Sequence, residues 1–339
     1  MSLALGLAGI ALATALIAWF GFQHILRAIL SIGVAGFAAV CAWQLVLFAV
    51  LGLCWFVLLP AAPRWRLWVA VWARMVRDAA GGLLPFSLVG GFVLGARSMT
   101  LHGVAWPVAT GSTVVDLTTE FVAQIALVLI GLLILAARSP GSAVTMPAFL
   151  GLVAALLAGV AFFWIQRRGA SPFMRVVMRL GGRALGGWAD AAEGHVESIQ
   201  QSLNAIYAAP WRVAAGTILH LLGWLGTGFA SFIAFRLLGA HIDYIGALGI
   251  EALLHAALAT AILVPGYAGV QEAAYAGVGT LFGQPAEMSL AVSLLRRARD
   301  VALGVPILIV WQVLEISRRR QKGQGSALDK LGPAAPDPN

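Results

Sequence analysis

Asp116 and Glu120 stand four residues apart on one face of an apolar stretch. Two carboxylates that close repel, so one is protonated or both meet cations. Arg296, Arg297 and Arg299, with Asp300, occupy a second apolar stretch. A charge near the bilayer centre costs roughly 3 kcal/mol, and a partnership of Asp116 or Glu120 with Arg296 would solve the burial problem for both. Such a group can form a polar cavity that accepts a headgroup or relays protons, or an ion pair that locks two halves together. Glu272 is a further acid in an apolar region, three residues after Gly269. Glu251 and His255 form an i, i+4 pair that reads first as a packing pair, with proton coupling open because histidine titrates near neutrality. Arg97 can meet a headgroup phosphate or snorkel to the interface, and His220 reads as a core histidine. Cys41 and Cys54 show no metal-ligand spacing and no partner histidine. The chain lacks a nucleophile elbow, phosphate loop and dinucleotide fingerprint. No metal, no cofactor and no enzymatic activity are expected.

The elements that must position these residues lie in lipid. Of 339 residues, 60% are hydrophobic and 11% charged, and the mean hydropathy is +0.90. Soluble domains carry about 25% charged residues. The fold class is therefore an all-α polytopic membrane protein, with about 7–8 transmembrane helices expected. The net charge of +8 does not point to nucleic acid, because the basic residues sit at the edges of apolar segments. Spans are predicted over 3–22, 29–59, 104–137, 147–165, 213–235, 244–264 and 286–314. Residues 64–77, with Trp65, Trp68 and Trp72 at helical spacing, are expected to lie in the interface. Residues 167–212 are expected to form a cytoplasmic loop containing an amphipathic helix. One membrane domain, 1–316, would precede a disordered cytoplasmic tail over 317–339.

Two apolar stretches are broken, one at Pro85, Gly90 and Gly91, the other at Pro265, Gly266 and Gly269. Irregular backbone at membrane depth is tolerated only inside protein or along a wet cavity, so both are expected to be re-entrant or broken helices. At a shift of 180 they match without gaps in six of the 21 positions from 83 to 103. The register continues, pairing Thr113, Asp116 and Glu120 with Ser293, Arg296 and Asp300. This predicts repeat halves over about 64–137 and 244–316, by the logic that paired broken segments mark a transporter's binding site.

Leu84-Pro85-Phe86 with Gly90-Gly91 and Arg97 resembles the first signature of the lysylphosphatidylglycerol-synthase transmembrane-region family. Pro265-Gly266-x-x-Gly269-Val270-Gln271-Glu272 resembles its second. The stretches 84–92 and 293–300 look most like the HpnL subgroup associated with hopanoids. The resemblance implies a flippase-like lipid translocator in the bacterial inner membrane, with a membrane lipid as substrate and hopanoid-biosynthesis or lipid-export proteins as partners. Glu272, Arg296, Asp116 and Glu120 would line its cavity, with Arg97, Arg297 and Asp300 as further substrate contacts. The family's first signature carries a glutamate where this chain has Gly91, so Asp116 or Glu120 would supply that charge. The family's synthase domain is absent, so aminoacyl transfer is not expected. A proton-coupled carrier of a polar solute and a non-transporting scaffold are the alternatives.

Overall fold

A computed structural model describes residues 22–60, 63–84, 87–138, 196–260, 267 and 269–330, with single positions between 146 and 164. The expected span 3–22 and the breaks at Pro85, Pro265 and Gly266 lie outside the described residues, as does most of 147–195.

The described elements are α1 (Phe22–Leu58), α2 (Arg66–Leu83), α3 (Ser87–Leu101), α4 (Trp106–Arg138), α5 (Val196–Tyr207), α6 (Pro210–Leu237), α7 (Tyr244–Thr260), α8 (Val270–Leu281) and α9 (Ala286–Lys330). Stretches within α1, α4, α6 and α9 are long and apolar enough to cross a membrane. Their outward faces carry large apolar side chains such as Leu133, Ile218, Leu222 and Val313, which suit lipid rather than water. This is a multi-pass membrane protein.

The structure bears on three sequence expectations. First, α2 is more than an interfacial helix. Trp65 and Trp68 are exposed, but Ala70, Ala73, Arg74, Arg77 and Ala80 recur on one buried face. Those small residues admit a close neighbour, and the arginines follow them inward. Second, the described part of the expected span 244–264 is the 17-residue helix α7, and residues 261–264 lie outside the described residues. Third, α9 is helical through Lys330 and so runs past the start of the tail expected from 317, whose last nine residues lie outside the described ones.

The 180-residue repeat extends to whole elements. The segment Leu30–Leu58 of α1 corresponds to α6, α2 to α7, α3 to α8, and the first 33 residues of α9 to α4. The turns agree bond for bond. After α3, the N–H groups of His102, Gly103 and Val104 donate to the carbonyls of Met99, Thr100 and Met99. After α8, those of Phe282, Gly283 and Gln284 donate to Gly279, Thr280 and Gly279. Gly103 and Gly283 sit at φ 80° and 73°, the left-handed position that ends a helix and costs glycine least.

The halves interlock. α2 packs on α9 and α7 packs on α4, so each half grips the other through corresponding helices. The central seam joins α1 to α6, which run antiparallel: Gly36 lies by Leu237, Gly226 by Leu47, Gly223 by Leu51 and Gly216 by Leu58. Corresponding helices that pair antiparallel make the repeat inverted. α2 and α3 fold back on each other as a tight hairpin, because Gly91 and Gly95 lie against the backbone of Arg77 and Ala73. Gly90 and Gly91 therefore lie inside α3 and not at the break. The break itself begins at Leu84, whose extended backbone (φ −96°, ψ 148°) follows the end of α2. α5 is the amphipathic helix expected in the 167–212 segment, and it buries Ile199, Leu203 and Ile206 against Leu58, Val114 and Val115.

A Cβ on Gly91 would stand 2.7 Å from the Arg77 carbonyl oxygen, a backbone atom that cannot step aside, whereas Gly90 faces open space. Gly91→Ala should destabilise the protein by about 1–3 kcal/mol, and Gly90→Ala should not. Chaotrope unfolding of the two variants in detergent checks this, and equal effects would refute the hairpin packing.

Candidate functional site

Two clusters of buried polar groups occupy the interior, one in each half. In the first, α2 contributes Arg74, Arg77 and Asp78, and α4 contributes Asp116 and Glu120. Arg74 Nη2 donates to Glu120 Oε1 at 2.9 Å, Nη1 to Asp116 Oδ2 at 3.4 Å, and Nε to Asp78 Oδ2 at 3.0 Å. Arg77 donates from its two terminal nitrogens to Asp116 Oδ2 and Glu120 Oε2. The other oxygen of Asp116 meets His220 Nε2 of α6 at 3.1 Å and the Cys54 thiol of α1 at 3.6 Å. Asp116 is wholly buried. Paired guanidinium groups meet the requirement that a charge in such a place be compensated.

The second cluster centres on Glu251 of α7, also wholly buried. It accepts hydrogen bonds from Arg296 of α9, Ser231 of α6 and Tyr275 of α8, the last at 2.9 Å. His255, one turn on, meets the carboxylate at 3.1 Å and packs edge-on against Trp224. Beside it a narrow cleft opens between α1, α6, α8 and α9. Arg296, Arg299, Ser231, Tyr275 and Thr227 give it a polar side, and Val40, Ala230, Val292 and Leu295 an apolar one.

The partnership expected between Asp116 or Glu120 and Arg296 does not form. Asp116 and Glu120 pair within their own half with Arg74 and Arg77, while Arg296 pairs with Glu251. The sequence register hides the reason. Asp116 and Arg296 are corresponding residues, so they occupy corresponding places, and each takes its counter-ion from the adjoining hairpin of its own half. Tyr267, at the approach to α8, packs against the second-half core and is within electrostatic reach of both Glu120 and Arg296. Its backbone is left-handed, φ 54°, a rare state for a side chain of that size.

Glu272 has a local task. Its Oε2 accepts the Gly269 N–H at 2.9 Å, capping α8, and its Oε1 accepts from Arg297 Nε at 2.6 Å. Gly269, at φ 77°, supplies the cap's backbone turn. Arg97 is engaged by Glu315 of α9, at 3.1 and 3.0 Å, and Asp300 by its neighbour Arg299. Glu251 and His255 do pair, but within a larger network than the sequence indicates. Arg74, Arg77, Ser231, Tyr275 and Glu315 are absent from the sequence-level candidates. The alanine-lined face of α2 was the available signal for the first two. Cys54 was expected to have no partner histidine, yet His220 meets the same carboxylate oxygen, 166 residues along the chain.

Replacing one member of a buried ion pair leaves the other uncompensated, at a cost of about 3–5 kcal/mol. Arg77→Met and Glu120→Leu should each lower unfolding stability by that order. The double variant should lose less than the sum, because Arg74 and Asp116 remain paired. Strict additivity in a double-mutant cycle would show that the contact carries no coupling.

The family described as the lysylphosphatidylglycerol synthase TM region matches residues 6–307. Neither a curated protein nor a solved structure matches the chain.

Proposed function

Because this chain belongs to the lysylphosphatidylglycerol synthase TM region family, we propose that it is a lipid translocator whose headgroup site is the cleft between α1, α6, α8 and α9. The observation that carries this reading is the cleft's mixed lining: Arg296, Arg299, Ser231 and Tyr275 are polar and Val40, Val292 and Leu295 aliphatic. Since its present space is no larger than a water, a headgroup would enter as the helices part. Arginine favours phosphate and carboxylate, and the apolar wall suits the tail of the same molecule. Hopanoid or a related polar lipid, handled in a bacterial inner membrane beside hopanoid-biosynthesis or lipid-export proteins, is the cargo class that the resemblance of 84–92 and 293–300 favours. The proposed activity is the movement of lipid between leaflets.

The inverted repeat also supports a topology. In it α2–α3 and α7–α8 enter and return as re-entrant hairpins, each arm about 27 Å or less at 1.5 Å per residue. With the spans expected from the sequence over 3–22 and 147–165, α1, α4, α6 and α9 would make six crossings. Arg64 to Arg66, the arginines from Arg167 to Arg183 and Arg318 to Arg320 then all face the cytoplasm, as the positive-inside rule requires. Treating 244–264 as a full crossing would instead strand the last group outside.

Two measurements test these statements. In proteoliposomes, wild type should accelerate leaflet exchange of a labelled anionic lipid, and Arg299→Gln should slow it about tenfold or more, which is about 1.4 kcal/mol of lost interaction. Unaccelerated exchange by well-folded wild type would sink the translocator reading, whereas acid-driven uptake of a soluble solute would favour a carrier. Cysteines placed at His241 and at Arg320 should label from opposite sides of the membrane. Labelling from one side would refute the paired hairpins.

A further inference from the structure

Cys54, Asp116 and His220 reach one point from α1, α4 and α6. Their relative exposures are 0%, 0% and 1%. The atoms Sγ, Oδ1 and Nε2 all lie within 4.8 Å of one another. Arg74 and Arg77 hold the second oxygen of Asp116, so Oδ1 is turned toward the thiol and the imidazole. The Gly216 carbonyl oxygen stands 3.3 Å from Sγ, which brings a fourth donor within reach.

With all three acids ionised, this corner needs one further positive charge, from a proton on His220 or from a bound cation. Arg74 and Arg77 contribute two positive charges, and Asp78, Asp116 and Glu120 three negative ones. With a neutral thiol and imidazole, the cluster holds one negative charge in excess, deep in a membrane protein where uncompensated charge is costly. His220 Nδ1 is also buried without a partner, so the ring is oriented only through its contact with Asp116.

We propose that Cys54, Asp116 and His220 bind one divalent cation of the zinc class. Binding would release the thiol proton to solvent and place the thiolate, the imidazole nitrogen and Oδ1 on the ion. The added charge of two, less the one lost with the proton, brings the cluster to neutrality. Thiolate and imidazole together select zinc-like ions over magnesium or calcium, and four-coordinate geometry accepts mixed sulfur, nitrogen and oxygen ligands. The arginines act as outer ligands that fix the carboxylate. Asp78 and Glu120, with side chains 27% and 14% exposed, form the less buried end of the same cluster and offer a route inward. The ion would pin α1 and α4 of one half to α6 of the other. This site is separate from the cleft on Arg299, so either proposal stands without the other.

The test uses purified full-length protein in detergent, stripped with a chelator and titrated with Co²⁺ as the probe. A near-ultraviolet thiolate-to-cobalt band should saturate at about one ion per chain and vanish on adding Zn²⁺. Cys54→Ser should remove the band and weaken binding about tenfold or more, while Cys41→Ser should retain both. Zn²⁺ should raise the unfolding temperature of wild type and of Cys41→Ser but not of Cys54→Ser. If Cys54→Ser fails to fold, the wild-type band, its stoichiometry and its retention in Cys41→Ser decide the matter. A folded wild type without a band, or a band that survives Cys54→Ser, overturns the proposal.

Discussion

A charged side chain surrounded by hydrocarbon must find its counter-charge inside the protein, and the interior is arranged around that demand. Asp116 and Glu120 on α4 cannot stay ionised there unless α2 brings Arg74 and Arg77 to within hydrogen-bonding distance. That fixes where α2 lies and which face it turns inward. The hairpin follows, since α2 can reach α4 only if α3 folds back closely along it, and Gly91 and Gly95 permit that approach. In the second half the same logic holds α7 against α9 through Glu251 and Arg296. The ion pairs specify the arrangement of short helices that are too brief or too interrupted to be fixed by lipid alone.

The two halves are alike in backbone and opposite in sign at the central ion pair. On the long helix the first half carries an acid, Asp116, where the second carries a base, Arg296. On the hairpin the first half carries bases and the second an acid, Glu251. The hairpin partners stand at different positions, since Arg74 and Arg77 correspond to Leu254 and Ala257 and Glu251 to Val71, yet each long-helix charge finds an opposite charge on its own hairpin. The result is one acid-rich interior corner and one lined by arginine, which differ in the ions they attract while sharing a geometry.

Much of this architecture can be read from the sequence, and the parts that cannot share a cause. The repeat was legible because turn glycines and prolines such as Gly103, Gly283, Pro85 and Pro265 mark backbone geometry wherever they occur. The acids were legible because a carboxylate in an apolar run is conspicuous. Their partners were not. Arg74 and Arg77 lie beside tryptophans that suggest the membrane surface, and only the alanines at 70, 73 and 80 mark the face as inward. The expected pairing of Asp116 with Arg296 failed because a repeat register shows which residues correspond, and corresponding residues seldom touch unless they sit on the axis. Cys54 and His220 are brought together only by the packing of α1 on α6, which no local spacing records.

The seam between α1 and α6 has one further implication. At its two ends the contacts are alike, Gly36 with Leu237 and Gly216 with Leu58. In the middle they are not: Leu47 and Leu51 project from α1 into gaps left by Gly226 and Gly223 on α6. Two copies of α1 placed together would set leucine against Trp43 and Val46, and two copies of α6 would leave voids. A protein built from a symmetric duplication thus carries a key on one copy and its lock on the other. Each half is shaped for the opposite half, and α1 and α6 fit each other better than either would fit a copy of itself.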